Sequence, residues 1–276
     1  MVKAKLKFHW GFISRWPAYT AAQPSTLYLT PTSLLGALAY GLAKLKGLPE
    51  VVRVEVGRGS RRRRGRRAKV PVHFYSSAVR ALEYCSWVTY RVESELEPNL
   101  GLVETMDLSK VSLVLGVRRG NIYPGSPYLW GVQPHGKVYS PSLEVTVAYF
   151  AARDDVASDV ERAAWLITRV GSRESVVSVQ DVRVVGARPA SAEEVETAYA
   201  FPSSLAERVD GPHAVASLFV PSREWYNLMV VRDVSKHAAD FVIPLRPVRV
   251  RPSPASLIAA DEDGEAYVLP GGAGVG

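Results

Sequence analysis

The 276-residue sequence has a single cysteine, Cys85, which excludes an internal disulfide and any zinc cluster built from cysteines. Its five histidines (His9, His73, His135, His213 and His237) lie far apart, and none has metal-ligand spacing, so no metal or other cofactor is expected. There is no P-loop, no HExxH and no GxSxG, which removes the residue patterns of nucleoside triphosphatases, zinc proteases and α/β-hydrolases. The closing GGAGVG precedes no helix, so it is a flexible tail rather than a dinucleotide fingerprint. No apolar run approaches the ~20 residues a membrane helix needs. The opening MVKAKLKFHW alternates and lacks the apolar stretch of a signal peptide, so a cytoplasmic location is expected. Asn and Gln occur only three times each; beside many Arg and Val, that is the composition of a heat-adapted chain.

One stretch lacks negative charge altogether. Arg58, Arg61, Arg62, Arg63, Arg64, Arg66, Arg67 and Lys69 supply eight cations and no acid, and without them the net charge of +7 would fall to about −1. The basic character therefore belongs to one loop. Such a block repels itself and stays solvated. It reads either as a plain surface loop or as an arm that orders on RNA.

The periodicity points to an α+β fold. Val2, Ala4, Leu6, Phe8 and Trp10 alternate with Lys3, Lys5, Lys7 and His9, a half-buried strand with a basic outer face. PSTLYLTPTSLLGALAYGLAKLKG follows as a helix. Thr30 or Thr32 caps it, Pro31 opens it, Leu34, Leu38, Leu42 and Leu45 form its buried stripe, and Gly47 and Pro49 end it. Gly36 and Gly41 each cost this helix about 1 kcal/mol relative to Ala. Something is therefore expected to approach its backbone closely, either a packed sheet or a polyanion at its N-terminus. Val51–Val56 reads as a strand, Val70–Glu93 as a hairpin, Val111–Val117 as a strand, Gly120–Pro141 as loop and Leu143–Phe150 as a strand. Asp154–Val170 reads as a second helix and Val176–Val185 as a strand. The order is βαββαβ, a ferredoxin-like (RRM-like) core over residues 1–186 with a long inserted hairpin or thumb at about 57–142. Residues 187–276 hold nine of the nineteen prolines and read as a small β-rich lobe, with strands at His213–Val220, Tyr226–Arg232 and Arg246–Arg251 and at most a short helix at Ser191–Glu194.

Three segments carry candidate chemistry. GFISRWPAY places Arg15 between Phe12 and Trp16, the pairing that stacks bases and holds phosphate, although both aromatics could equally be core. GSRES places Arg173 beside Glu174 at a turn, where the carboxylate could pair with Arg173 or Arg15. PHGKVY gathers His135, Lys137 and Tyr139, the base, cation and acid that a metal-free ribonuclease needs.

The strand running into GFISR, the helix PTSLLGALAYGLA and the later RVGSRES followed by VSV resemble the fifth family of CRISPR-associated proteins, in the repeat-associated (RAMP) superfamily. The resemblance spans most of the first 186 residues and is nearest in look to archaeal type I-A members. It implies a non-catalytic Cascade subunit that holds the 5′ handle of the guide RNA, caps the backbone filament and contacts backbone and large subunits. It implies no membrane and no small-molecule substrate. In the type I-C branch the family instead cleaves precursor RNA, which keeps an endoribonuclease as the alternative. On this reading, phosphate contacts are expected from Arg15, Arg118, Arg119 and Arg173, from the helix N-terminus at Thr32, Ser33 and Gly36, and from Arg61, Arg62, Arg63 and Arg64. Phe12 and Trp16 are the stacking candidates.

Overall fold

A computed structural model describes residues 1–14, 17, 24–55, 72–93, 103–112, 130–141, 143–172, 174–228 and 234–273. In β1 (Val2–Phe8) the apolar positions Val2, Ala4, Leu6 and Phe8 are fully buried, as a period of two requires. Lys5 and Lys7 face outward; Lys3 shares their face yet is only 3% exposed. After the short β2 (Gly11–Phe12), helix α1 (Pro31–Lys46) begins at Thr30, whose side chain accepts a hydrogen bond from the Ser33 N–H. It ends at Gly47, in the left-handed region (φ 62°), with the Gly47 N–H donating to the Ala43 carbonyl. Leu34, Leu38 and Leu42 are buried along its inner stripe.

β3 (Val51–Glu55) and β4 (Val72–Ser76) form a two-stranded sheet apart from the main one among the described residues. A short helix, α2 (Ala78–Ala81), then leads into β5 (Cys85–Val92). Val51–Val56 is therefore not the second core strand, and Val70–Glu93 is not a hairpin: its two strands join different sheets. Val51 and Arg53 are exposed while Val52 is buried, a pattern suited to a peripheral ribbon.

β6 (Val103–Ser112) and β7 (Trp130–Tyr139) run antiparallel from Val103↔Tyr139 to Ser112↔Trp130, while β2 pairs with the other edge of β7. The Gly- and Pro-containing stretch expected to be loop is thus a ten-residue strand over Trp130–Tyr139. The inserted region is two separate excursions, one on each side of β5.

β8 (Glu144–Ala151) is buried on both faces. A 3₁₀ turn at Asp154–Val156 precedes α3 (Ala157–Trp165), and β9 (Val177–Val184) follows. The face formed by Val156, Val160, Ala164 and Ile167 is buried as expected. The helix stops well short of Gly171, however. Leu166 and Ile167 donate to the carbonyls of Ala163 and Ala164 in tightened i→i−3 bonds, and the Thr168 carbonyl then accepts from Val177 N. Strands β5, β8, β1 and β9 form one antiparallel sheet in that order.

The remaining chain folds as β10 (Ala187–Ala190), β11 (Val195–Thr197), β12 (Phe201–Pro202), β13 (Ala206–Asp210), β14 (His213–Phe219), β15 (Ala238–Pro244), β16 (Val248–Pro252), β17 (Ser256–Asp261) and β18 (Ala266–Pro270). They make three small sheets, β10-β17-β18, β11-β16-β13 and β12-β15-β14. No helix forms at Ser191–Glu194, where the chain passes directly from β10 to β11. Tyr226 and Asn227 lie in a turn rather than a strand, and Asn227 bridges to Tyr75. In the tail, Ala273 is buried. The fold is mixed α/β, mostly strands with few helices. No helix among the described residues is long and apolar enough to cross a membrane.

The main core unites β1, α1, β5, β8 and α3 with Ala200, Leu218, Tyr226, Phe241 and Ile243 from the C-terminal part of the chain. A second cluster packs Ala148 and Phe150 of β8 against Tyr199, Tyr267 and Leu269. The β17–β18 turn lies over the sheet face opposite α1, where the Lys3 ammonium meets Asp261 at 2.5 Å, Glu265 at 2.6 Å and Asp263 at 2.7 Å. Much of that face is thereby covered, and what remains carries ion pairs such as Lys5–Glu144 at 3.2 Å. Those three acids form a group close enough to hold a metal, but Lys3 sits among them as the cation. Cys85 is buried against the Trp87 carbonyl; burial pushes its thiol up to about 12, which leaves it inert.

Candidate nucleic-acid interface

The fold brings four distant segments to one seam: the chain after β2 (Ile13, Ser14), the N-terminus of α1, the turn between α3 and β9, and the end of β7. Ser175 is fully buried and is the hub. Its hydroxyl accepts from the Ile13 N–H at 3.1 Å and lies 3.0 Å from the Ser172 hydroxyl. Gly171 (φ 90°) turns the chain there; a Cβ on it would lie 2.8 Å from the Ile13 carbonyl oxygen and 3.7 Å from the Ser33 hydroxyl. Only glycine lets these strands of chain close on the helix N-terminus.

Behind this turn, the Ser25 hydroxyl accepts from Ser14 N at 3.0 Å and donates to the Ser14 carbonyl at 2.9 Å, and Thr26 N donates to the same carbonyl at 2.7 Å. Ser14, Ser25, Thr26 and Thr30 are all at most 2% exposed. At the helix start, Thr30 lies 2.9 Å from the Ser33 hydroxyl and accepts from the Thr32 hydroxyl at 3.0 Å. The first turn of α1 carries no acid, so its dipole end is unneutralised from within the helix. The neighbouring Tyr28 phenol is raised in pKa by burial and stays neutral.

At the mouth of the seam stands Trp10. Its indole N–H donates to the Glu174 carbonyl, and the Lys137 ammonium lies 5.7 Å from its ring centre. Lys137 also pairs with the Glu174 carboxylate at 2.8 Å. The buried hydroxyls fasten the segments to one another, while the half-buried Thr32 and Ser33 hydroxyls, the helix N-terminus and a cation over an aromatic ring can hold an anionic backbone by hydrogen bonding and charge without selecting a base.

Thr32 and Ser33 lie at this seam, at the start of α1. Gly36 is half-buried one turn further on, and nothing in the described protein comes within 4 Å of a Cβ placed there, so no sheet packs against it. The close approach is at Gly41 instead, and α3 makes it: a Cβ at Gly41 would lie 2.1 Å from the Ala163 carbonyl oxygen. Phe12 is 1% exposed with its ring edge-on to Phe8 at 5.8 Å; it is a core residue, and its face is not available to a base. Arg15, Trp16, Arg61, Arg62, Arg63, Arg64, Arg118, Arg119 and Arg173 lie outside the described residues, although Ser14 and the Ser172–Glu174 flanks of two of them are in the seam. Glu174 pairs with Lys137; the arginines expected to pair with it, Arg15 and Arg173, lie outside the described residues. His135, Lys137 and Tyr139 share one face of β7, with Gly136 and Val138 buried between them.

Trp10, Ser25, Thr26 and Ser175 went unread from sequence. Trp10 continued the apolar alternation of β1 and looked like core. A lone Ser or Thr in a loop carries no signal until its partner, 11 residues away for Ser14–Ser25 and 162 for Ile13–Ser175, is known.

No family model matches the chain. Among curated proteins, the CRISPR system aCascade subunit Cas5 1 of Saccharolobus solfataricus is 31% identical over 200 residues, covering 72% of this chain and 70% of that protein. The CRISPR-associated protein Cas5 3 of the same organism is 28% identical over 200 residues, with the same coverage. Among solved structures, the crystal structure of a CRISPR protein from Archaeoglobus fulgidus aligns with a TM-score of 0.55 at 18% identity, over 98% of this chain and 100% of that one, which identifies the fold. On the identity and coverage of its curated relatives, and with the resemblance of its GFIS, α1 and GSRES segments, the chain belongs to the Cas5 family of CRISPR-associated proteins.

Proposed function

We propose that the chain is the Cascade subunit that holds the 5′ handle of the guide RNA, caps the backbone filament and contacts the backbone and large subunits, without catalysing a reaction. The observation that carries this reading is the seam itself. The segments by which the chain resembles its family, the last of them more than a hundred residues from the first two, meet at one helix N-terminus among buried hydroxyls. Its relative's description as an aCascade subunit supports the assembly role. Thr32, Ser33 and the open flank at Gly36 are the described contacts. Arg15, Trp16, Arg173, Arg118, Arg119 and the Arg61–Arg64 run are the further ones. We read the core as ferredoxin-like, with a division near residue 186 into a RAMP domain and a β-rich lobe. The sheet order β5-β8-β1-β9 supports this, each helix crossing over one intervening strand. The coverage of the sheet's outer face directs RNA to the loop end rather than to the face that RRM-type modules use. A cytoplasmic location, and work without metal or cofactor, belong to the same reading.

The endoribonuclease alternative rests on the shared face of His135, Lys137 and Tyr139. Incubation of the purified chain with RNA carrying the CRISPR repeat, in EDTA, separates the two. Binding without cleavage is expected, with RNA protection unchanged in His135→Ala. Specific products ending in a 2′,3′-cyclic phosphate that disappear in His135→Ala would establish the nuclease instead.

A further inference from the structure

Glu174 is the sole carboxylate in the described residues of the seam, which runs through 10–14, 24–33, 136–140 and 171–175. An acid at a phosphate site weakens binding unless it has a task there. Its main chain is fastened: the Glu174 carbonyl accepts from the Trp10 indole and from Val176 N at 2.8 Å. Its side chain is the outermost part of the seam, 60% exposed, and reaches the 24%-exposed Lys137 ammonium above the Trp10 ring. A pair this exposed contributes little to the fold and is readily exchanged. A phosphate presents the same anionic oxygens to an ammonium as a carboxylate does, and a lysine accepts either as a point charge.

We infer that Glu174 is a built-in phosphate surrogate: its carboxylate occupies Lys137 in the free chain and gives way to a phosphate of the bound RNA. The inference rests on the seam being the RNA site. Lys137 is then an RNA-contacting residue held over Trp10 in its working position. Glu174 keeps that cation neutralised against stray polyanions, so that only an RNA anchored elsewhere along the seam displaces it. No bond is made or broken covalently; one ion pair replaces another.

The test measures binding of the full chain to repeat RNA for wild type, Glu174→Gln, Lys137→Met and the double variant, across a salt series. Glu174→Gln should tighten binding about three- to fivefold, the equivalent of the exposed ion pair it removes. Lys137→Met should weaken binding about tenfold or more and lower the log–log salt slope by about 0.7, one single-strand phosphate contact. In the double variant, the gain from Glu174→Gln should vanish. Wild-type binding with Glu174→Gln unchanged or weaker overturns the surrogate role and leaves the RNA-binding reading standing. A gain that persists in the Lys137→Met background overturns it as well, because Glu174 would then act through general repulsion. A wild-type chain that does not bind repeat RNA overturns both.

Discussion

Replacing Lys3 with methionine should destabilise the protein by about 3–5 kcal/mol, the cost of removing one partner from a buried ion pair. Lys3 is 3% exposed and the Asp261 side chain is fully enclosed, so the variant leaves a carboxylate with neither water nor a countercharge. Asp261 keeps hydrogen bonds from the Tyr267 hydroxyl at 2.7 Å and from the backbone N–H groups of Asp263 and Glu265 at 2.9 Å, and these do not cancel its charge. Arg183 stays 2.8 Å from Asp263, and Arg91 stays against Glu265, which places the effect nearer the lower figure. Denaturant unfolding should show a lower midpoint with an unchanged slope. Replacing Asp261 by asparagine in the same chain should recover part of the loss, since the amide removes the unpaired charge while its oxygen still accepts from the Asp263 and Glu265 N–H groups.

The same network sets a pH dependence. The Asp263 carboxyl is held below its ordinary range, first by its hydrogen bond from Lys3, and Glu144 likewise by Lys5 and Gln180. A carboxylate whose folded pKa is depressed contributes stability above its unfolded value of about 4 and loses it as pH falls through the folded one. Wild type should therefore weaken on acidification from about pH 4 downward. Lys3→Met lacks Lys3's hold on Asp263 and so lacks that share of the pH dependence. The stability gap between the two proteins should narrow between neutral pH and pH 3. A gap that stays constant would show that Lys3 acts through packing alone.

Gly41→Ala should also destabilise the protein, against the local preference of a helix, which favours alanine by about 1 kcal/mol. The added methyl would lie 2.1 Å from the Ala163 carbonyl oxygen and 2.9 Å from the Ala163 Cα, both backbone atoms. Helices α1 and α3 must then move apart in a core where Ala163 and Ala164 are fully buried. Overpacking of this kind costs about 1–3 kcal/mol, occasionally more. Gly36→Ala is the matched control in the same helix. With no atom of the described residues within 4 Å, it should gain up to about 1 kcal/mol. Equal thermal shifts in the two variants would contradict the assigned contact.

These two glycines mark how far the sequence reaches. Their cost to α1 is local and legible, and so was the conclusion that something approaches the helix. Which glycine, and what approaches it, depended on where α3 packs. The same division runs through the fold. β1, α1, β8 and the buried face of α3 were legible because their periodicity is set by the residues themselves, through alternation in a strand and the 3.6-residue turn of a helix. Val51–Glu55 was recognisable as a strand, but its partner was not, because pairing is a non-local choice among several equally β-prone segments. Trp130–Tyr139 was misread for the converse reason: its glycines and proline favour turns, and the ladder with β6 overrides that preference.

At the site, the GFIS, α1 and GSRES segments could be singled out in the sequence, and their family was recognised from them. Their convergence could not be seen there. Lys3 looked like its neighbours Lys5 and Lys7, because nothing within the strand tells an outward lysine facing water from one facing acids 260 residues away. The pairing of Glu174 with Lys137 was equally invisible, because the two lie on different elements that only the tertiary fold brings together. By itself the sequence determined what short-range sterics and periodicity determine: element types, the buried faces and the segments that matter. Only the tertiary structure decided the pairings, because electrostatic and packing partners are selected by distance in space, and the chain brings remote residues within 3 Å only once it has folded.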